Sequence, residues 1–400
     1  MPKVIQIVNR LNLGGIISNA ALLTKYMPAN YQTIFVTGPK QESEESAAFI
    51  LEELGLTYIE VPEMRRSINP FLDLAAYNKL RKIIREFRPD IVHTHAAKSG
   101  ALGRLAARHE NVPVILHTFH GHIFHSYFNP LVSNVFVRIE RYLAGISDGI
   151  IAISDRQKEE LGSIHKICSP EKINVIPYGF DLSKFRKDTA QKRKLFRNDY
   201  SIADDEIAIG IIGRLVPIKN HSLFLKAISI IQSKTQKKLR FMIVGDGEVR
   251  EALLKECESL NLDFTFYPDR QRNALVTFTS WRKDVDVVLN GLDIVALSSL
   301  NEGTPVSLIE AQAAEKAIIT TDVGGVRNAV LPGKTAIIVA SNDENAFAEG
   351  LLELIEHPDE RIKMATSGWD FVREHYHYTR LIKDTQSLYE RLLSAKVKTA

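Results

Sequence analysis

The chain has 400 residues, of which 45% are hydrophobic and 25% are charged, and its formal net charge is +3. This length suggests two or three domains, and the composition is that of a soluble globular protein. The small positive charge gives no argument for nucleic acid as a partner, since nucleic-acid binding needs clustered basic residues.

The cysteines and the first residues indicate a compartment. Cys168 and Cys257 lie far apart with no metal-type spacing, which fits isolated thiols in a reducing environment. The chain starts directly in the strand-like run KVIQIV, without a basic and then apolar leader. No apolar run approaches the roughly 20 residues that a membrane span needs. We therefore expect a cytoplasmic protein.

The first half of the chain alternates strand-like and helical runs. Residues 3–11 predict a buried strand, which Gly14-Gly15 and a helical run follow. Apolar strands that alternate with helices imply a parallel, doubly wound sheet. The other strand-like runs of this half lie at 33–38, 90–95, 113–121, 149–154 and 172–177.

The same pattern then starts again. The polar, charged stretch 177–200 separates the halves and predicts a linker. We therefore expect two Rossmann-like domains, residues 1–178 and 179–375, with closing helices near 358–373 and 378–394. The strand-like runs of the second half lie at 206–215, 239–247, 275–280, 293–299, 316–321 and 336–341.

The stretch NEGTPVSLIEAQAAEKAIITTDVGG, residues 301–325, holds the strongest candidate site. If Thr304 or Pro305 begins a helix, Glu302 lies in the loop before it and Glu310 lies on its second turn, so both can face one crevice. Free N–H groups near Val306 then form a helix end suited to phosphate. A carboxylate on either side of an anion suits a sugar nucleotide. The alternative is an ordinary helix start with favourable acidic residues.

This pattern resembles the retaining glycosyltransferases of family 4, which have the GT-B fold. It consists of E-G-x-P, a second glutamate with seven residues between, and a strand before T-D-V-G-G. The stretch AAEKAII departs from the family, which usually carries a glycine and a proline there. The resemblance implies two domains that face each other across a cleft, and a last helix, at about 376–400, that packs on the first domain.

The resemblance also implies an activity. A sugar would pass from a nucleoside diphosphate sugar, a UDP-sugar in our interpretation, to a hydroxyl of a lipid-linked or cell-surface glycan precursor, with retention of configuration and without a metal or other cofactor. A sugar-nucleotide epimerase on the same fold and a non-catalytic sugar-nucleotide sensor are the alternatives. An epimerase should lack the paired glutamates, and a sensor should bind the donor without turnover.

The resemblance also implies roles for the residues of this chain that match the family's motifs. Glu302 would bind donor sugar hydroxyls, Glu310 the ribose, and His120 the sugar beside the reacting carbon. The catalytic residues implied are His120, Glu302, Arg214 and Lys219. The donor-binding residues implied are Gly14, Gly15, Arg214, Lys219, Gly245, Glu302, Gly303, Thr304, Pro305, Val306 and Glu310.

Several of these positions keep a simpler alternative. Arg214 and Lys219 match the family's diphosphate-binding cations, and a solvated surface pair is the other interpretation. The turns at Gly14-Gly15 and Gly245 are explained equally well as plain tight turns. His120 also suits an ordinary core position. Tyr178 departs from the family, which usually has N-G at that turn.

Two patterns are typical of metal sites, but we expect that neither of them binds a metal ion. The first half contains the H-x-H pairs His93/His95 and His120/His122, which we expect to point to opposite faces of their strands, without a cysteine or acidic ligand nearby. Asp284-Val285-Asp286 is a D-x-D, the metal signature of the other major glycosyltransferase fold. It lies where family 4 has a helix, so we interpret it as structural.

Two stretches suggest how the acceptor is reached. Basic residues outnumber acidic residues seven to two between Met64 and Arg88, and residues 122–137 are aromatic and apolar. This combination suits peripheral contact with an anionic membrane. A solvated helix and an ordinary core segment are the alternatives. The segment 264–274 has no role that we can assign.

Overall fold

The computed structural model describes residues 1–12, 15–40, 46–65, 67, 69–120, 130–269 and 273–399. The chain divides into two compact units. The first unit comprises Met1–Phe180 with Tyr376–Ala400, and the second comprises Asp181–His375. Each has a parallel sheet with helices, which confirms the predicted pair of doubly wound α/β domains.

The first unit has a sheet of seven described strands in the order β3-β2-β1-β4-β5-β6-β7. Its strands are β1 Lys3–Val8, β2 Gln32–Thr37, β3 Tyr58–Glu60, β4 Ile91–His95, β5 Val114–Phe119, β6 Gly149–Ala152 and β7 Ile173–Val175. Its α-helices are α1 Gly15–Tyr26, α2 Ala48–Glu53, α3 Pro70–Phe87, α4 Ala97–His109, α5 Pro130–Gly145 and α6 Asp155–Glu159.

The second unit repeats this design, with described strands in the order β10-β11-β9-β8-β12-β13-β14. Its strands are β8 Ile207–Ile212, β9 Leu239–Val244, β10 Phe264–Phe266, β11 Val276–Ser280, β12 Ile294–Leu297, β13 Ala317–Thr321 and β14 Ile337–Val339. The remaining α-helices are α7 Thr189–Asp199, α8 His221–Ile231, α9 Arg250–Ser259, α10 Val285–Gly291, α11 Val306–Ala313, α12 Val326–Ala329, α13 Glu344–Glu356, α14 Pro358–Tyr376 and α15 Tyr378–Thr399.

Burial explains why the strands are continuous apolar runs. Helices cover both faces of a parallel sheet, so successive side chains of one strand enter two cores. In β8, Ile209 and Ile211 pack in one core with Phe224 of α8. In the first unit, Leu381 and Tyr389 of α15 join the core formed by β1 and its neighbours. The last helix is therefore part of the first unit's interior.

Two short edge strands have no counterpart in the sequence analysis. All residues of β3 are exposed, and β10 is only three residues long. An edge strand with few buried side chains leaves little hydrophobic pattern to detect. β10 lies in the segment 264–274, which therefore extends the second sheet, although Arg270 to Arg272 are outside the described residues. In the described part of the chain, no helix is long and apolar enough to cross a membrane.

Candidate functional site

The strongest candidate site lies in the second unit, at the carboxyl ends of β8, β9, β12 and β13. Open parallel sheets bind ligands in the crevice outside the carboxyl ends of their strands. The loops after these strands carry the predicted residues Arg214, Lys219, Gly245 and Glu302.

The loop of Arg214 is fixed by the glycine turn after β9. Gly245 has φ 139°, and a Cβ atom there would overlap with the carbonyl oxygen of Gly213. The Leu215 N–H donates to the carbonyl of Asp246 at 3.0 Å. Arg214 itself is exposed, and its guanidinium has no hydrogen bond or ion pair with the described residues. Gly245 therefore has a steric role in the turn, and Arg214 is a free cation on a rigid loop.

Lys219 and Glu302 form an ion pair at this edge. Lys219 ends a short 3-10 helix after β8, and its Nζ donates to Oε1 of Glu302 at 2.7 Å. The Ser299 hydroxyl donates to the same oxygen at 2.6 Å. Oε2 of Glu302 has no hydrogen bond from a described residue. The carboxylate is thus anchored by one oxygen and presents the other.

The loop of Glu302 is supported by two glycines of the T-D-V-G-G motif. A Cβ atom on Gly324 would overlap with the Glu302 carbonyl oxygen, and one on Gly325 would overlap with that of Gly303. The Gly325 N–H also donates to the Glu302 carbonyl at 3.0 Å. The donor-binding residues implied by the sequence do not include these two glycines, although the motif contains them. A glycine pair directly after a strand was the signal for a close backbone contact.

The helix after this loop begins one residue later than expected. α11 starts at Val306, and Pro305 precedes it with φ −74° and ψ 89°, which is not helical. Our expectation that Thr304 or Pro305 begins the helix is therefore wrong. No side chain caps this end. Gly303 has open space around it in the described structure, so the first N–H groups of α11 and the loop can receive an anion.

Glu310 lies in a different environment from Glu302. It is half-buried on α11, without a hydrogen bond to its carboxyl group from a described residue. Burial raises the pKa of Glu310 to about 7, while Lys184 opposes the rise and Asp286 adds to it. The two glutamates therefore have separate neighbours, which suits contacts to different parts of one ligand.

The D-x-D carboxylates are occupied by cations of the protein. Asp284 accepts two hydrogen bonds from Arg282, at 2.8 Å and 2.6 Å. Asp286 pairs with Lys192 at 2.8 Å. Among the described residues there is no group of three or more His, Cys, Asp and Glu side chains that could hold a metal ion. These contacts favour the structural interpretation of the D-x-D.

Gly15 and His120 lie in the first unit, and Gly14 lies outside the described residues. Gly15 is the first residue of α1, and a Cβ atom there would lie 3.7 Å from the Tyr178 ring. Tyr178 also stacks on His120, with ring centroids 5.5 Å apart. The departure from the family at position 178 therefore joins two of the predicted residues.

The histidines of the first unit do not point to opposite faces. His93 and His95 lie two positions apart on β4, and their rings are 4.3 Å apart on the same face. Our expectation is wrong because strand side chains repeat with a period of two. His120 follows β5, and its two ring nitrogens contact Tyr178 and His95. His122 lies outside the described residues.

The basic run predicted to meet a membrane is largely neutralised. Arg81 and Arg85 both bind Glu110, at 2.7 Å and 2.8 Å. Lys79 pairs with Glu63 at 2.7 Å. Our count of charges between 64 and 88 was misleading because folding brings in carboxylates from outside that range. Arg66 and residues 121–129 are outside the described residues.

Comparisons with known proteins cover both units. The family described as Glycosyltransferase Family 4 matches residues 13–184. The family described as Glycosyl transferases group 1 matches residues 192–369. One relative is the UDP-Gal:alpha-D-GlcNAc-diphosphoundecaprenol alpha-1,3-galactosyltransferase of Escherichia coli. It is 30% identical over 303 residues, which are 74% of each chain.

A more distant relative and two solved structures are also similar over most of the chain, and the solved structures show the same fold. The N,N'-diacetylbacillosaminyl-diphospho-undecaprenol alpha-1,3-N-acetylgalactosaminyltransferase of Campylobacter jejuni is 24% identical, over 84% of this chain and 85% of its own. A glycosyltransferase from Rickettsia africae has a TM-score of 0.78 and 20% identity, over 98% of both chains. HepE of Anabaena in complex with UDP has a TM-score of 0.77 and 16% identity, over 98% of this chain and 100% of its own.

Proposed function

The chain belongs to the family 4 and group 1 glycosyltransferases, and we propose that it transfers a sugar from a UDP-sugar to a hydroxyl of a lipid-linked glycan precursor, with retention of configuration. The donor is suggested by the names of the Escherichia coli relative and of the HepE complex. The acceptor is suggested by the two relatives named for diphosphoundecaprenol substrates. Retention rests on the family resemblance alone.

One observation carries this proposal: the Lys219–Glu302 pair beside the free Arg214 and the uncapped start of α11. The ammonium group of Lys219 has three N–H donors, and one of them binds Glu302. The other two can donate to phosphate oxygens. The free Oε2 of Glu302 accepts from a sugar hydroxyl. Lys219 would thus link the diphosphate to the carboxylate that holds the sugar.

Charge explains how these residues would accelerate transfer. The nucleoside diphosphate gains negative charge as the glycosidic bond breaks, so fixed cations stabilise the transition state more than the ground state. Arg214 and Lys219 supply two such charges. We therefore propose that the reaction needs no metal ion, and the ion pairs at Asp284 and Asp286 support this.

The activity is tested by incubation with a panel of UDP-sugars and a polyprenyl diphosphate sugar as acceptor. We expect UDP and an extended lipid-linked product, whose new linkage keeps the anomeric configuration of the donor by NMR. An epimerised donor in the absence of acceptor would favour the epimerase alternative. Tight UDP-sugar binding without product would favour the sensor.

We propose that peripheral contact with the inner face of the membrane is made by α5 and not by the basic run on α3. Val135, Ile139 and Tyr142 are 55%, 45% and 62% exposed. Their spacing places them on one face of the helix. Arg138 is exposed on the same face and has no partner among the described residues. Apolar side chains with a free cation suit an anionic lipid surface.

Vesicles of phosphatidylglycerol and phosphatidylcholine distinguish the two helices. Arg138→Gln with Ile139→Ser should weaken vesicle binding about fivefold or more, since a basic residue near the surface contributes about 1 kcal/mol. Arg85→Gln is the matched control, because Arg85 is already bound to Glu110. Equal binding by the α5 variant and the parent protein at low salt would remove α5 from the proposal.

A further inference from the structure

A continuous chain of hydrogen bonds crosses the first unit from Tyr178 to the last helix. The Tyr178 hydroxyl contacts Nδ1 of His120 at 3.0 Å. Nε2 of His120 contacts Nδ1 of His95 at 2.8 Å. Nε2 of His95 contacts Oε1 of Gln6 at 2.8 Å, and Nε2 of Gln6 donates to the Tyr389 hydroxyl at 3.0 Å. Three side chains, those of His120, His95 and Gln6, thus connect Tyr178 to Tyr389 along one polar path.

The inner end of this path closes on β4 and β5. The Tyr389 hydroxyl contacts Nδ1 of His93 at 2.8 Å. Nε2 of His93 contacts the Thr118 hydroxyl at 2.7 Å. His93 is 1% exposed and Tyr389 is 0% exposed, so the protein itself must satisfy their polar atoms. Every ring nitrogen on the path has such a partner.

The imidazoles on the path are neutral. Burial lowers the pKa of His120 to about 3. Burial, with a smaller contribution from His120, lowers the pKa of His93 to about 3. Burial and the neighbouring histidines also hold the pKa of His95 well below its ordinary value. A neutral imidazole has one N–H donor and one acceptor nitrogen, so each ring must have a defined tautomer.

The amide of Gln6 determines all of these tautomers. Its Oε1 only accepts, so Nε2 of His95 carries the proton and Nδ1 of His95 accepts. Nε2 of His120 must then donate to His95, which leaves Nδ1 of His120 as an acceptor for the Tyr178 hydroxyl at 3.0 Å. The other acceptor near this hydroxyl, the His120 carbonyl oxygen, is farther away at 3.4 Å. In this order Tyr389 accepts from Gln6 and gives its own proton to His93.

We propose that Gln6 and Tyr389 are positioning residues that set the tautomer of His120, so that its Nδ1 is an acceptor for a hydroxyl group. In the structure that hydroxyl belongs to Tyr178. During transfer it would belong to the donor sugar, and this part rests on the proposed function. His120 is then a neutral hydrogen-bond acceptor and supplies no proton to the reaction.

The same hydrogen bonds can also form with every donor and acceptor exchanged. The two arrangements differ in the tautomer of His120, which can be measured. If the Gln6 amide turned over, its Nε2 would donate to His95, and each proton on the way to His120 would move to the other nitrogen. His120 would then present Nδ1–H as a donor. Without the Tyr389 hydroxyl, Nε2 of Gln6 loses its partner and neither orientation is preferred.

The measurement is a two-bond 1H–15N correlation spectrum of the full chain with labelled histidine, in which His120→Asn identifies the His120 signals. We expect the parent protein to carry the His120 proton on Nε2. Tyr389→Phe should give a mixture of tautomers at His120. The control is Tyr31→Phe, since the Tyr31 ring lies 6.3 Å from Tyr389 and is outside the path. A parent protein with Nδ1–H, or a Tyr389→Phe spectrum equal to the parent's, overturns the proposal.

Tyr178→Phe tests the outer end if the buried variant fails to fold. It should shift the Nδ1 resonance of His120 because the bonded hydroxyl is lost, and it should keep the proton on Nε2 because His95 still accepts it. An unchanged Nδ1 resonance overturns the assignment.

Activity gives a separate result. Tyr389→Phe should lower kcat by about twofold, because about half of the molecules would then hold the other tautomer, with the donor KM unchanged. A parent protein without transfer activity would contradict the proposed function, whereas the spectra are recorded on the protein alone and test the tautomers.

Discussion

At its candidate site the second unit presents charged groups, whereas the first unit has a cluster of buried neutral rings around His93, His95 and His120. At the edge of the second sheet, Arg214 is exposed and Lys219 shares its charge with Glu302. In the first unit, His93 and His95 are 1% exposed, and their pKa values are lowered by burial. Charges suit a diphosphate, and neutral donors and acceptors suit sugar hydroxyls. The difference predicts which substitutions, and which changes of pH, affect each part of the donor.

The largest effect should come from the cations. Arg214→Ala and Lys219→Ala should each lower kcat/KM by about ten- to over a hundredfold, because each removes a charged hydrogen bond worth about 1.5–3 kcal/mol. Steady-state rates measure this. Lys226→Ala is the control, since Lys226 pairs with Glu344 on the outside of α8. Full activity in both site variants would place the diphosphate elsewhere.

Replacing each of the two glutamates should affect a different kinetic parameter. Glu302→Ala should lower kcat, because the sugar loses the acceptor that Lys219 holds in place, and should leave UDP affinity nearly intact. Glu310→Ala should mainly raise the donor KM and weaken UDP itself. Calorimetric titration of UDP beside steady-state rates separates these outcomes. Equal loss of UDP affinity in both variants would contradict the division of roles.

The pH dependence of UDP binding should identify Glu310. Burial raises the pKa of Glu310 to about 7, so the carboxylate that we propose as the acceptor for ribose hydroxyls forms only as the pH rises through that value. UDP affinity should therefore increase about tenfold between about pH 6 and about pH 8. Glu310→Gln should lose this increase, while any titration of the UDP phosphate stays in both proteins. The neutral histidines of the first unit should add no inflection in this range.

The smallest effect on the transfer rate should come from removing divalent metal ions with a chelator. If Arg214 and Lys219 bind the diphosphate as proposed, excess EDTA should leave the rate of sugar transfer unchanged. A complete loss that magnesium or manganese restores would show that the charges of the second unit are insufficient by themselves.

The parts of the fold and the site that local patterns encode were predictable. Apolar strands, glycine turns and the spacing of Glu302 and Glu310 lie within short stretches of sequence. The contacts that define the chemistry join distant positions. Lys219 and Glu302 are 83 positions apart, and Gln6 and Tyr389 are 383 apart. Neither pairing has a local signal.

The same limit explains two of the failed predictions, those of the basic run and of β3. The run around Arg81 and Arg85 looked basic because Glu110, which neutralises both, lies outside it. β3 was missed because its residues are exposed and carry no alternating pattern. In each case the missing information was the identity of the tertiary neighbour, which only the folded chain supplies.

The position of Tyr389 has a consequence for biosynthesis. The first unit is built from Met1–Phe180 and Tyr376–Ala400, so the ribosome makes the whole second unit, Asp181–His375, before the first can be completed. At about 5–20 residues per second, this interval lasts about 10 to 40 s. During that time Val4 and Ile91 lack the helix that covers them, and Gln6 and His93 lack the Tyr389 hydroxyl. The nascent first unit therefore exposes these apolar and polar groups until its last helix has been translated.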